Sequence, residues 1–529
     1  MSLAQVARTL QAHGEPAPPA RWRRLAILGA ALLVTLGINI GFYAFPAHPN
    51  GPLFPFMLFW ILDYLPYGLA CFVVLKMPPQ EGRWRWIELA LILGGALLLR
   101  SILLPVNPFL SKDSWRYVWD ARVTLHGYSP YVIGPGAPQL AYLRNFIYDN
   151  SAFRNVPSIY PPGAQAFYVL SYLLSPNNLV MLKTIFMLFD LASCGVLAYL
   201  LKRRGLDMSR AILYAWCPLP IIDFAIQGHL DALTLTFSLL ALLCSLGNWR
   251  GSRVLTGFLI AMATLTKFYP ILLLVVVIRR KDWALLLTCF VTIVVAYIPY
   301  LILGHGSVFG FFSRYASEQG VNAGLVQLFM GLMTRWFGLA VLPRLLLEYL
   351  LDLLIVGGAA LVVLAWRLNE DTRGEGNMVA TLLNKLLLAV AWLLRFSRPL
   401  KTQVERFRAW VITMLTSGHI SMEAATLVLF GAVFLASSHI FPWYTTAILP
   451  WAVVLLQPLR KPGGRWNPQG LAAAAIWYFP CVSIVHYFCD RVGGWNYYYI
   501  FVYGVVVAGL VAAMIFYFKQ KHSLLSKSV

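Results

Sequence analysis

Long apolar runs, broken by short polar stretches, fill most of the 529-residue chain. The run WIELALILGGALLLRSILL (86–104) is typical. Its length matches what a helix needs to cross a hydrocarbon core. Residues 24–43, 53–75 and 86–105 are predicted as the first three spans, with Pro46, Pro49 and Pro52 in the first turn. A long loop, 106–161, follows, rich in Pro, Gly, Tyr and Asn. A short helix over 163–175 is expected at the membrane surface. Further spans are predicted near 178–201, 209–226 and 230–246. The stretch 253–279 carries Lys-Phe-Tyr-Pro at its centre and reads as a broken hairpin, a form tolerated where it lines protein or a cavity. Residues 283–303, 346–366, 421–437, 444–459, 468–488 and 495–517 complete a count of about eleven to fourteen. Segment 367–420 reads as cytoplasmic, with one amphipathic or inserted piece near 377–395. The fold class expected is an all-α polytopic membrane bundle, with a cytoplasmic N-terminal tail (1–23), a single membrane domain (24–517) and a cytoplasmic tail (518–529).

Composition strengthens this reading. Hydrophobic residues make up 59% and charged residues only 12%, about half the charged share of a soluble domain. The net charge of +21 would suggest nucleic acid if the basic residues formed one patch. They sit instead at the edges of apolar runs: Arg21/Arg23/Arg24, Lys76/Arg83/Arg85, Lys202/Arg203/Arg204, Arg279/Arg280/Lys281, Arg398/Lys401/Arg406/Arg408, Arg460/Lys461/Arg465 and Lys519/Lys521. Cytoplasmic flanks facing anionic lipid have this distribution. It places the loop 106–161 and a second loop, 304–324, on the extracytoplasmic side of a cell membrane. Seven scattered cysteines show no paired or ligand-like spacing, and no cleavable leader is read at the N-terminus.

The polar groups that an apolar body must explain lie in six segments. In SKDSWRYVWDAR (111–122), a helix would place Asp113, Arg116, Tyr117 and Asp120 on one face and Trp115, Trp119 and Arg122 on the next. The acids either pair with Arg116, with the tryptophans resting on lipid, or one of them faces a cavity as a general base. Tyr160, in IYPPGAQAFY (159–168), either lines a sugar site or is an ordinary interfacial tyrosine. His229 and Asp231, in QGHLDAL (227–233), suggest a helix cap; a zinc pair lacks a third ligand. Lys267, in ATLTKFYPILLL, is far from either basic edge and should face a cavity, an anion or an ion-pair partner; phosphate suits a point charge of this kind. His439, Trp443 and Tyr444 close another run as HIFPWY. Arg314 and Glu318 stand i,i+4 in the second loop.

Together DSWRYVWDARVTLHGYSPY (113–131), YPPGAQAFY (160–168), GHLDAL (228–233), LTKFYPILLL (265–274) and HIFPWY (439–444) resemble the GT-C fold glycosyltransferases. They are most similar to the bacterial polyprenyl-phosphate-mannose-dependent mannosyltransferases. The chain departs in having two additional helices before the first long loop and Ala121 where many relatives carry glycine. The resemblance implies transfer of a sugar, mannose in that family, from a polyprenyl phosphate to a lipid-linked or glycolipid hydroxyl acceptor. It implies an aspartate of the first long loop as catalytic base: Asp113 by its spacing to Tyr117, with Asp120 in reserve. The donor phosphate is then expected near Lys267, His229 or His439, with Arg116, Tyr117, Arg122, Tyr160, Asp231, Arg314, Trp443 and Tyr444 as further binding candidates. No cofactor, no metal and no nucleic-acid partner is expected, since no nucleotide or nucleotide-metal motif occurs. Two other classes stay open: a secondary transporter or lipid flippase, which a broken hairpin with a buried lysine would also serve, and a glycan ligase using a polyprenyl-pyrophosphate donor.

Overall fold

A computed structural model describes residues 18–44, 53–311, 324–338, 340–371, 377–393, 396–437 and 439–525. Among these the chain is helical, and its only β pairing is an isolated bridge between Arg460 and Trp466. The first three helices are α1 (Pro18–Gly41), α2 (Leu53–Lys76) and α3 (Gly82–Leu103), close to the sequence expectation. The helix of the first loop is α4 (Asp113–Leu125), followed by α5 (Pro162–Leu174) and α6 (Leu179–Arg203). Beyond these come α7 (Asp231–Ser245), α8 (Ser252–Thr264) and α9 (Trp283–Leu303). After Leu325–Phe337, α10 (Pro343–Asn369) is the next long span. Then α11 (Met378–Leu393), α12 (Arg398–Ser417), α13 (Met422–Ala436), α14 (Pro468–Val482) and α15 (Tyr499–Gln520) follow. The first helix begins at Pro18, and the last one continues to Leu525.

Among the described residues, seven helices are long and apolar enough to cross a membrane, or eight with one bent pair counted as a span. The larger expected count includes shorter apolar segments as well. Several predicted spans are short or broken. Residues 444–459 divide into Pro442–Thr445 and Leu449–Leu455, and α7, α8, α11 and α13 are shorter apolar helices. A helix buried among other helices is as apolar as one facing lipid, so hydropathy alone does not separate them.

The bent pair is Met208–Ala215 and Pro218–Ile226, which meet at 57°. Pro218 and Pro220 lack the amides that would continue the helix, and the carbonyls at the break find other donors. Tyr67 donates to Leu213 O at 2.6 Å, and Arg100 Nη1 donates to Ala215 O at 2.7 Å. Arg100 is also paired with Asp190 of α6, which accepts from Tyr214 as well. This network lies inside the principal apolar core, which joins α1 to α8 with α13 and the chain beyond it. Its effect on the site is direct: the second half of the pair ends at Ile226, so the turn 227–230 is delivered into the protein interior.

Candidate functional site

Helix α4 is a buried helix, where its tryptophans had suggested one lying on lipid: Trp119 is 0% exposed and Tyr117 1%. Its first turn is the functional end. Asp113 opens the helix, its amide donating to Ser111 Oγ at 3.2 Å. The carboxylate lies within electrostatic reach of Lys267, Asp231 and Arg116. Burial pushes the Asp113 carboxyl up to about 6. Lys267 and the Ser111 hydrogen bond pull it down, and Asp231 pushes it further up. A carboxylate poised there is ionised at neutral pH yet basic enough to take a proton.

Lys267 stands where α8 has ended and the Lys-Phe-Tyr-Pro break begins. Its ammonium is 2.6 Å from Asp231 Oδ1 and 3.6 Å from the centre of the Tyr444 ring. The expected helix cap by Asp231 is therefore corrected. Asp231 is the first residue of α7, makes no capping bond, and directs one oxygen to the lysine while the other has no hydrogen-bond partner. His229 is fully buried, and both of its ring nitrogens lack partners. Its ring stacks on Trp443 at 3.8 Å and 12°. Trp443 is also parallel to Phe441 at 4.6 Å, and His439 stacks on Phe441 at 6.1 Å. Trp443, largely buried, thus belongs to an aromatic column, and His439 is two rings removed from His229.

The remaining candidates separate clearly. Asp120 is 2.7 Å from Arg116 Nε and accepts from Gln165 at 3.4 Å. Arg116 also donates to the carbonyls of Phe153 and Val156, and Arg122 donates to Asn177 at 2.9 Å. These three hold the loop 106–161 in shape, and Arg116 also acts on Asp113 through its charge. Tyr117 stacks on Tyr168 at 4.5 Å, and its hydroxyl is 3.3 Å from that of Tyr160. The pair forms the aromatic wall behind Asp113. Helix α5 docks closely here, Ala164 N donating to Leu265 O, and a Cβ on Gly163 would lie 2.8 Å from that oxygen. Arg314 and Glu318 lie outside the described residues.

The sequence reading did not single out three neighbours. Gln227 accepts the amides of Phe109, Leu110 and Ser111. Lys183 donates to Val106 O at 2.6 Å and Ile226 O at 3.4 Å. Tyr487 donates to Asp223 at 3.4 Å. Lys183 was visible as a cation inside an apolar run; Gln227 and Tyr487 gave no local sign. Among the described residues no group of three or more His, Cys, Asp or Glu is placed to hold a metal.

An apolar cavity of about 450 Å³ lies between α5, α8 and α9, lined by Pro162, Gly163, Ala166, Met262, Leu265 and Ala296 among others; Asp113, His229, Asp231 and Lys267 do not line it. Residues 159–395, a little under half of the chain, match Glycosyltransferase family 87. The matched segment contains Tyr160, His229, Asp231 and Lys267 and leaves out Asp113, His439, Trp443 and Tyr444. No curated protein and no solved structure gives a match. The family match and the polytopic helical bundle support a membrane glycosyltransferase role in general.

Proposed function

We propose that the protein is an inverting GT-C-type glycosyltransferase. It moves a sugar, mannose by the sequence resemblance, from a polyprenyl phosphate to a lipid-linked or glycolipid hydroxyl at the extracytoplasmic face. The observation that carries the reading is the meeting of Asp113 with Lys267 and Asp231, three residues from three distant segments, beside an unpartnered imidazole. In the reaction the acceptor hydroxyl gives its proton to Asp113 while its oxygen attacks the anomeric carbon. The bond from that carbon to the phosphate oxygen breaks, and polyprenyl phosphate leaves with the electron pair. Lys267 exchanges part of its contact with Asp231 for the phosphate, and His229 offers an N–H. Both act on charge that grows on the leaving oxygen. Phosphate leaves without a general acid, so a single carboxylate suffices.

The apolar cavity beside Pro162 and Leu265 favours a lipid donor over a water-soluble one, because an isoprenoid tail held there keeps the sugar beside the base. The deciding experiment supplies purified protein with radiolabelled polyprenyl-phosphate mannose, then with a polyprenyl-pyrophosphate oligosaccharide, and follows label into the acceptor lipid. Transfer from the first donor, abolished by Asp113→Asn, is expected. Label crossing proteoliposomes with no new glycosidic bond would return the protein to the transporter class.

A further inference from the structure

Two stretches of chain bring the acid and the cationic side of the site together, and neither belongs to the same helix. One is the segment 106–111, which leads into α4 and so presents Asp113. The other is the turn 227–230, which leads into α7 and presents His229 and Asp231. Gln227 is fully buried between them. Its Oε1 accepts from Phe109 N at 3.3 Å, Leu110 N at 3.1 Å and Ser111 N at 3.3 Å. Three successive amides converging on one point form a concavity suited to an anion or a strong acceptor. Because all three are donors, the atom among them is the amide oxygen.

A second tie runs parallel to the first. Lys183, 1% exposed on α6, donates to Val106 O on one stretch and Ile226 O on the other. Gly228 makes the approach feasible: its φ is +68°, and a Cβ there would sit 2.9 Å from Lys183 Cγ and 3.1 Å from Ser114 Cβ. An L side chain would meet both a strained backbone and two walls.

We propose that Gln227 is a positioning residue, setting the distance between Asp113 and the His229–Asp231 turn by gathering the three amides before α4, with Lys183 as its companion tie. This rests on the transferase reading. Reaction rate depends steeply on such a distance, a displacement of about 1 Å being worth about 10²-fold. Gln227→Leu removes the acceptor, Gln227→Glu keeps an oxygen for the three amides, and Gln227→Asn keeps it one methylene further back. The expected result is a kcat loss of about 10²-fold for Gln227→Leu with donor KM little changed, an intermediate loss for Gln227→Asn, and near-complete rescue in Gln227→Glu. Amide hydrogen exchange gives a readout independent of activity: the 109–111 amides should exchange faster in Gln227→Leu or, should that variant not fold, in Gln227→Asn, and at the wild-type rate in Gln227→Glu. Unchanged exchange in the Leu and Asn variants, or equal kinetic loss in the Glu and Leu variants, overturns the proposal. A wild-type protein that transfers no sugar would defeat the transferase reading, while the exchange rates would still decide the clamp.

Discussion

The ammonium of Lys267 is held 2.6 Å from the Asp231 carboxylate and 3.6 Å from the centre of the Tyr444 ring. The acid is 2% exposed at its side chain and the lysine 14%. A buried pair of this kind resists loss of one partner more than loss of both, since the survivor is left as an uncompensated charge. Lys267→Ala should destabilise the protein by about 3–5 kcal/mol, and Lys267→Ala/Asp231→Asn should recover a large part of that in thermal unfolding. Recovery of stability without recovery of transfer is expected, because the double variant still lacks the phosphate partner. A Lys267→Ala protein with normal donor use would remove the lysine from the reaction.

Asp113 sets the acid side of the pH profile. Its carboxyl is pushed up to about 6 by burial, and the base must be ionised, so kcat/KM should rise with pH and reach half its plateau near pH 6. Asp113→Asn should be inactive. It should also be at least as stable as the wild type at pH 7.5, because ionising a buried carboxyl disfavours the folded state. That difference builds as pH rises from the ordinary carboxylate value towards 6 and is absent below pH 4, where both states bind the proton. A wild-type acid limb near pH 4 would contradict the assignment.

Asp120 should behave in the opposite way. Its partner Arg116 is buried and braces the carbonyls of Phe153 and Val156, so Asp120→Asn should cost about 3–5 kcal/mol of stability. The fraction that folds should turn over at close to the wild-type rate. Active-site titration alongside calorimetry would separate the two effects, and an inactive but fully folded Asp120→Asn would exchange the roles of the two acids.

The cavity between α5 and α9 offers a test that leaves the reacting groups untouched. Ala166→Trp should fill part of its about 450 Å³ and raise KM for a long-chain polyprenyl donor at least about tenfold, the equivalent of about 1.4 kcal/mol. A short-chain analogue, which does not need the space, should be used as before. Equal effects on both donors would place the tail elsewhere.

Where the sequence was legible, local rules sufficed. Basic flanks bounded α1 to α3, and the helix that begins at Asp113 ends at Leu125, just before Gly127 at φ +83°. Lys267 stood out because a cation inside an apolar run requires a partner. The reading failed where a contact is non-local. Nothing near Trp443 in sequence says that His229 and Phe441 will stack on it, and Gln227 is an unremarkable polar residue until three amides from the preceding loop converge on it. The segments 209–226 and 444–459 read as plain spans because hydropathy does not register a break; at the first, Tyr67 and Arg100 supply the donors that hold a 57° bend.

The company Lys267 keeps has a consequence for how the cycle would run. At neutral pH the ionised set Asp113, Asp231 and Lys267 carries one surplus negative charge before any substrate arrives. A phosphodiester adds a second, so donor binding should draw Asp113's titration upward and couple affinity to proton uptake. Once the sugar has moved, the spent lipid bears a further negative charge as a monoester. Asp113 holds the acceptor's proton at that moment, so the total charge is unchanged by the step, and it is the later loss of that proton that turns the field against the product.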